Sequence, residues 1–138
     1  MRLLRREDGG NLVEFAIVLP LVLLLTVGLL QAGLLAYAGV MAGEAARHGA
    51  RMGSVAQADA AVVAHINALD EAQAAFPIAQ PRVQILAPGG IPGSELTVQV
   101  TYDVPNLFYL SGLSSLFPIV ADPTTEVTRR VTFRQEGW

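Results

Sequence analysis

The chain has 138 residues, of which 52% are hydrophobic and 15% charged, with a formal net charge of −3 and no cysteine. A disulfide framework and a thiolate metal site are thereby excluded, and the acidic balance argues against nucleic acid or an anionic surface as an electrostatic partner. With an apolar N-terminal segment set aside, the remainder is one small domain with a modest core.

The first residues carry Arg2, Arg5, Arg6, Glu7 and Asp8, then a Gly9-Gly10 pair, and between Glu14 and Glu44 run twenty-nine residues without a charge. At about 1.5 Å per residue, roughly twenty apolar residues cross a hydrocarbon core about 30 Å thick. Phe15 to Leu35 therefore reads as a membrane-spanning helix. A secretory signal peptide fits poorly. Ala36-Tyr37-Ala38 offers a small-residue cleavage pattern, but the apolar stretch is too long, and Glu14 and Pro20 are badly placed for it. A plain uncleaved anchor satisfies the length alone. Arg2, Arg5 and Arg6 against Arg47 and Arg51 favour an N-terminus inside by a narrow margin.

Pro20 lies about one and a half turns into this helix, removes a backbone donor and crowds the carbonyl of Ala16, so a kink is expected there. Gln31 is the lone amide in mid-span, with another helix or its own backbone as partner. Gly39-x-x-x-Gly43 and Gly49-x-x-x-Gly53 have the small-residue spacing that permits close helix approach; an Ala- and Gly-rich chain also produces such pairs by chance. Glu44 and Arg47 stand at contact spacing for a weak ion pair.

Two stretches, Gly9-Gly10-Asn11-Leu12-Val13-Glu14-Phe15 with the apolar run through Pro20, and Gly43-Glu44-Ala45-Ala46-Arg47-His48-Gly49-Ala50-Arg51, resemble the TadE-like proteins, minor pilin-like subunits of the tight-adherence (Tad or Flp) pilus machinery. The resemblance implies a short leader removed on the cytoplasmic face by a prepilin peptidase, with cleavage after a glycine and a glutamate fifth in the mature chain. Cleavage after Gly9 makes Gly10 first, Glu14 fifth and Phe15 sixth, whereas cleavage after Gly10 makes Glu14 fourth. Gly9 is therefore the expected site, although the doubled glycine and the acidic Glu7-Asp8 beside it depart from the usual pattern. The resemblance further implies residence in the inner membrane, a cytoplasmic N-terminus, an extracytoplasmic head, and other pilin-like subunits and the assembly platform as partners. It also implies membrane lipid around the helix, and leaves open whether the processed subunit enters the pilus, caps it or primes its assembly.

The chemistry of this N-terminus is consistent with such a role. Glycine opens the backbone for a peptidase, and cleavage exposes an α-amino group with a pKa near 8. In a staggered array, Glu14 of one subunit would meet the new amine of its neighbour and set axial register, since a carboxylate in a helical bundle is costly unless paired. The plainer reading leaves Glu14 in the headgroup layer. These readings divide the chain into a leader (1–9), a transmembrane and assembly helix (10–43) and a head (44–138).

Beyond Glu44 the helix is expected to continue to about residue 76 as an amphipathic one. Val62, Ile66, Leu69 and Phe76 form its apolar seam, and Pro77 ends it. Strands are expected over about 81–87, 95–103 and 125–134. Leu96 to Tyr102 alternates without fault, and Val127, Val131 and Phe133 line one side of the last strand. Arg129 falls on that side and is read as snorkelling at an edge. Pro88-Gly89-Gly90-Ile91-Pro92-Gly93 reads as a hairpin loop.

The fold class is therefore α+β and pilin-like: a long N-terminal helix, transmembrane in its first half and amphipathic in its second, packed on a small three-stranded antiparallel sheet. Residues 104–120 are uncharged, hold Leu107, Phe108, Tyr109, Leu110, Leu113, Leu116 and Phe117, and are bracketed by Pro105 and Pro118. They read either as cover for one end of the sheet or as a patch for a partner or the membrane surface. His48 and His65 have no ligand-spaced partners, and no catalytic or cofactor motif occurs. The expected function is thus non-catalytic: assembly of a Tad-type pilus, with a membrane-anchored or secreted small binding domain as the alternative.

Overall fold

A computed structural model of the chain describes residues 7–112 and 122–136. Arg2, Arg5 and Arg6 of the leader, and Leu113, Leu116, Phe117 and Pro118 of the uncharged segment, lie outside the described residues. One helix organises the rest. Helix α1, Glu7–Ser54, is 48 residues long, about 70 Å at the standard rise, and it runs through Pro20 without interruption.

The expected continuous helix to residue 76 does not form. The chain turns back over residues 55–59, and α2, Ala60–Ala75, is a separate helix. Gly49, Gly53 and Ser54 weaken the end of α1, and the Ser54 hydroxyl donates to the carbonyl of Arg51 at 2.8 Å, the local back-bonding that competes with helix continuation. Asp59 then adopts a left-handed conformation, φ 51° and ψ 42°, immediately before α2. The reversal lets two alanine stripes meet. Ala42, Ala46 and Ala50 of α1 are fully buried, as are Ala64, Ala68 and Ala72 of α2, each set at the four-residue spacing of one helix face.

This also corrects the expected seam of α2. Phe76 is buried, but Val62 and Ile66 are 55% and 52% exposed. Alanine faces the partner helix because closely packed backbones leave no room for a larger side chain.

The sheet has the order β1-β2-β3, all antiparallel, from β1 (Pro81–Pro88), β2 (Glu95–Pro105) and β3 (Thr124–Arg134). A bulge at Leu86 interrupts the β1–β2 register. Gly89, Gly90 and Gly93 take positive φ in the connecting loop, a conformation glycine adopts without steric cost. Leu96, Val98, Val100, Tyr102 and Val104 of the central strand are fully buried and complete the core with the alanine stripes. The other face is a polar ladder: Thr97 with Thr132 and Thr101 with Thr128, each at 2.9 Å, and Arg82 donating to Asp103 at 2.9 Å and to Glu126.

An aromatic clasp holds the C-terminal end of α2. Phe76 meets Tyr37 and Tyr102 edge-on, with ring centroids 5.6 and 5.3 Å apart. The Tyr102 hydroxyl donates to the Ala72 carbonyl at 2.7 Å, and Tyr37 donates to that of Ala75 at 3.3 Å. The bond from Tyr37 reaches a carbonyl that a helix end leaves without an intrahelical partner, whereas the Ala72 carbonyl also accepts from the Phe76 N–H at 3.3 Å. Burial, with the nearby charge of Glu71 and then Tyr37 adding to it, pushes the Tyr102 hydroxyl up to about 12.

Candidate processing and assembly surface

Gly9 and Gly10 fall in the first turn of α1, where backbone amides have no intrahelical partner in any case. Two consecutive glycines, the poorest helix formers after proline, weaken this turn further. A methyl group built on Gly10 would meet nothing within 4 Å. The segment is thus accessible as well as weak.

The residues that follow are unsheltered by their own chain. Asn11 and Glu14 are exposed; Leu12, Phe15 and Ile17 are 71%, 64% and 70% exposed. Among the described residues Glu14 has no ion-pair or hydrogen-bond partner, and it shares a shallow surface depression with Asn11, Phe15 and Val18. A mean hydropathy of 2.6 over the best eighteen-residue window, none of it buried, makes α1 long and apolar enough to cross a membrane.

The head begins to cover α1 well before residue 44. From Gly10 to Leu30 every residue is exposed or half-exposed; Gln31 is the first buried residue, and burial against the head recurs from Ala38 onward. That free length, about twenty residues, matches a hydrocarbon core of about 30 Å. Here stands a feature that sequence reasoning missed. Gln31 does find another helix, one of its two expected partners, but a short one of its own chain that the sequence did not pair with it: its Oε1 accepts from the backbone N–H of Leu107 at 2.8 Å. Leu107 opens a short helix, α3 (Leu107–Leu110), capped by Asn106, whose side chain accepts from Phe108 N–H at 3.1 Å. Phe108 lies against Gly28, 3.6 Å from where a Cβ would stand. The Asn106 cap was a readable helix-start signal, but nothing in sequence pairs positions 76 residues apart.

The four glycines singled out for packing have different surroundings. A Cβ on Gly49 would stand 2.5 Å from the carbonyl oxygen of Ala64 and from the Cβ of Ala68; on Gly53, 2.6 Å from Ala64 Cβ and Leu96 Cδ2. Both receive α2 of the same chain, so they are closed to a neighbouring subunit. Gly39 instead faces β3, with Arg129 Nη2 at 3.1 Å from the would-be Cβ, and Gly43 meets nothing within 4 Å. Glu44 and Arg47 form the expected pair at 2.6 Å, with both side chains more than half exposed; its contribution is a few tenths of a kcal/mol. His48 and His65 join no metal-binding group among the described residues.

Residues 9–51 match a family model described as TadE-like protein. No curated protein and no solved structure matches the chain.

Proposed function

We propose, from the match of residues 9–51 to the TadE-like family model, that this chain is a minor pilin-like subunit that takes part in assembling a Tad-type pilus. The family associates it with that pilus and with pilin-like partner subunits. The observation that carries the finer reading is the coincidence of three features in one segment: a weak, open Gly9-Gly10 turn, an unpaired Glu14 four residues on, and a free apolar helix of membrane length.

A prepilin peptidase on the cytoplasmic face cuts after Gly9. The head lies outside the cytoplasmic membrane and residues 10–30 span it. The new α-amino group of Gly10 then pairs with Glu14 of an adjoining subunit. Away from water that pairing removes the cost of an isolated carboxylate and fixes the stagger between helices. Phe15 and the exposed leucines supply the apolar contact around it. The catalytic step belongs to the peptidase, and this chain contributes a cleavable turn and an assembly helix.

Glu14→Ala in the chain's own strain tests the assembly role. The expected outcome is normal removal of the leader with pilus yield reduced at least tenfold, and partial rescue by Glu14→Asp. Undiminished pili from processed Glu14→Ala protein would contradict the register role of the carboxylate.

A further inference from the structure

We propose that α3 is a membrane-seating element whose exposed side chains, Tyr109 and Leu110, rest in the headgroup and acyl boundary of the outer leaflet, so that the head is seated on the bilayer as well as anchored through it. The inference rests on the reading of residues 10–30 as the span, and adds to it a second lipid contact made by the head.

The placement follows from a length and a contact. The twenty-one residues of α1 from Gly10 to Leu30 reach about 30 Å, the thickness of the hydrocarbon core. With Gly10 at the inner boundary, Gly28 and Gln31 stand at the outer one. The fold fastens α3 at that level, through the Gln31–Leu107 hydrogen bond and the Phe108–Gly28 contact.

The chemistry of α3 fits that layer. From Val104 to Gly112 the chain carries no charge. Leu107 and Phe108 turn partly inward, leaving Leu110 67% and Tyr109 47% exposed. Leu29 and Leu30 of α1, 76% and 58% exposed, lie at the same level. The apolar surface of the span is therefore continued by the head. Tyrosine, with an apolar ring and a polar tip, is favoured at the membrane–water boundary, and short apolar elements there sit about 5–10 Å into it. An aqueous setting would leave this uncharged patch uncovered at the place where bilayer already reaches.

The occupant is lipid, and single-cysteine spin labelling of the full chain distinguishes it from the alternatives, because the chain has no cysteine of its own. Labels are placed at Leu110→Cys, at Leu21→Cys within the span, and at Gln84→Cys on the exposed polar face of β1. The protein is reconstituted in vesicles of phosphatidylethanolamine and phosphatidylglycerol, and collisions with oxygen, which concentrates in lipid, and with a water-soluble nickel chelate are measured. The proposal predicts oxygen-rich, nickel-poor exposure at Leu21 and Leu110 and the reverse at Gln84. Nickel-rich exposure at Leu110 with Leu21 in lipid overturns the seating and leaves the anchor standing. Shielding of Leu110 from both reagents overturns it in favour of a protein neighbour, such as a second copy. Nickel-rich exposure at Leu21 overturns the anchor reading itself and the seating with it.

Discussion

Adding a single methyl group separates Gly49 and Gly53 from Gly39 and Gly43. Alanine normally gains about 1 kcal/mol over glycine in a helix interior. At Gly49 and Gly53 that gain is opposed by contacts of 2.5 and 2.6 Å with α2 backbone and alanine methyls that have nowhere to move, and overpacking of this kind costs about 1–3 kcal/mol. Gly49→Ala and Gly53→Ala are therefore expected to lower stability by roughly 1–2 kcal/mol each, read as the denaturant midpoint in a common detergent micelle. Gly43→Ala, with nothing within 4 Å, is expected to be neutral or to raise it by up to about 1 kcal/mol. Gly39→Ala meets the far end of Arg129, a flexible side chain that can shift, and is expected to be nearly neutral. At Tyr102 the prediction concerns pH. Its folded value is raised from 10.0 to about 12, so the native state holds that proton more tightly than the unfolded chain does. The stability it contributes is complete below pH 10 and is lost as pH rises toward 12. Denaturation midpoints measured across that window are expected to fall, and Tyr102→Phe is expected to flatten the fall while costing about 1 kcal/mol at neutral pH through the lost bond to Ala72.

Among the elements, the strands were legible and the second helix was not. The alternation of Leu96 to Tyr102 survives as a fully buried row of Leu96, Val98, Val100 and Tyr102, and the expected strands agree with the observed ones to within about two residues. A period of two is hard to mistake when valine and threonine alternate on opposite faces. The reversal at residues 55–59 contains neither glycine nor proline, and an alanine-rich sequence favours helix on both sides of it. The large side chains of α2 then drew attention to the wrong face, because a close-packed interface selects small residues and a hydrophobicity reading selects large ones. The two faces of α2 can be told apart directly. Ile66→Gln on the exposed face is expected to change stability by less than about 0.5 kcal/mol, whereas Ala68→Leu on the buried one, by overpacking, costs about 1–3 kcal/mol. Equal losses at both positions in thermal unfolding would contradict the alanine interface. Of the candidate surface, Gly9, Gly10, Glu14 and the apolar run were visible as residues. The capture of Gln31 by Leu107 arises from packing between distant segments and left no local trace.

At the scale of the molecule, the parts have separate tasks. A helical hairpin of alanines and a three-stranded sheet form a head with its own core, and the same long helix that contributes to that core continues as a free apolar rod of about 30 Å. Head and rod share one helix, Glu7–Ser54, which is uninterrupted where the one passes into the other. The outer face of the sheet, away from the alanine core, is covered by the polar ladder. The account stands or falls on whether the leader is cut. The intact mass of the protein, expressed with and without a matching prepilin peptidase, gives the answer. It predicts loss of residues 1–9 with the helix retained, in the presence of the peptidase alone; an unchanged mass in both preparations would contradict it and reduce α1 to a plain anchor.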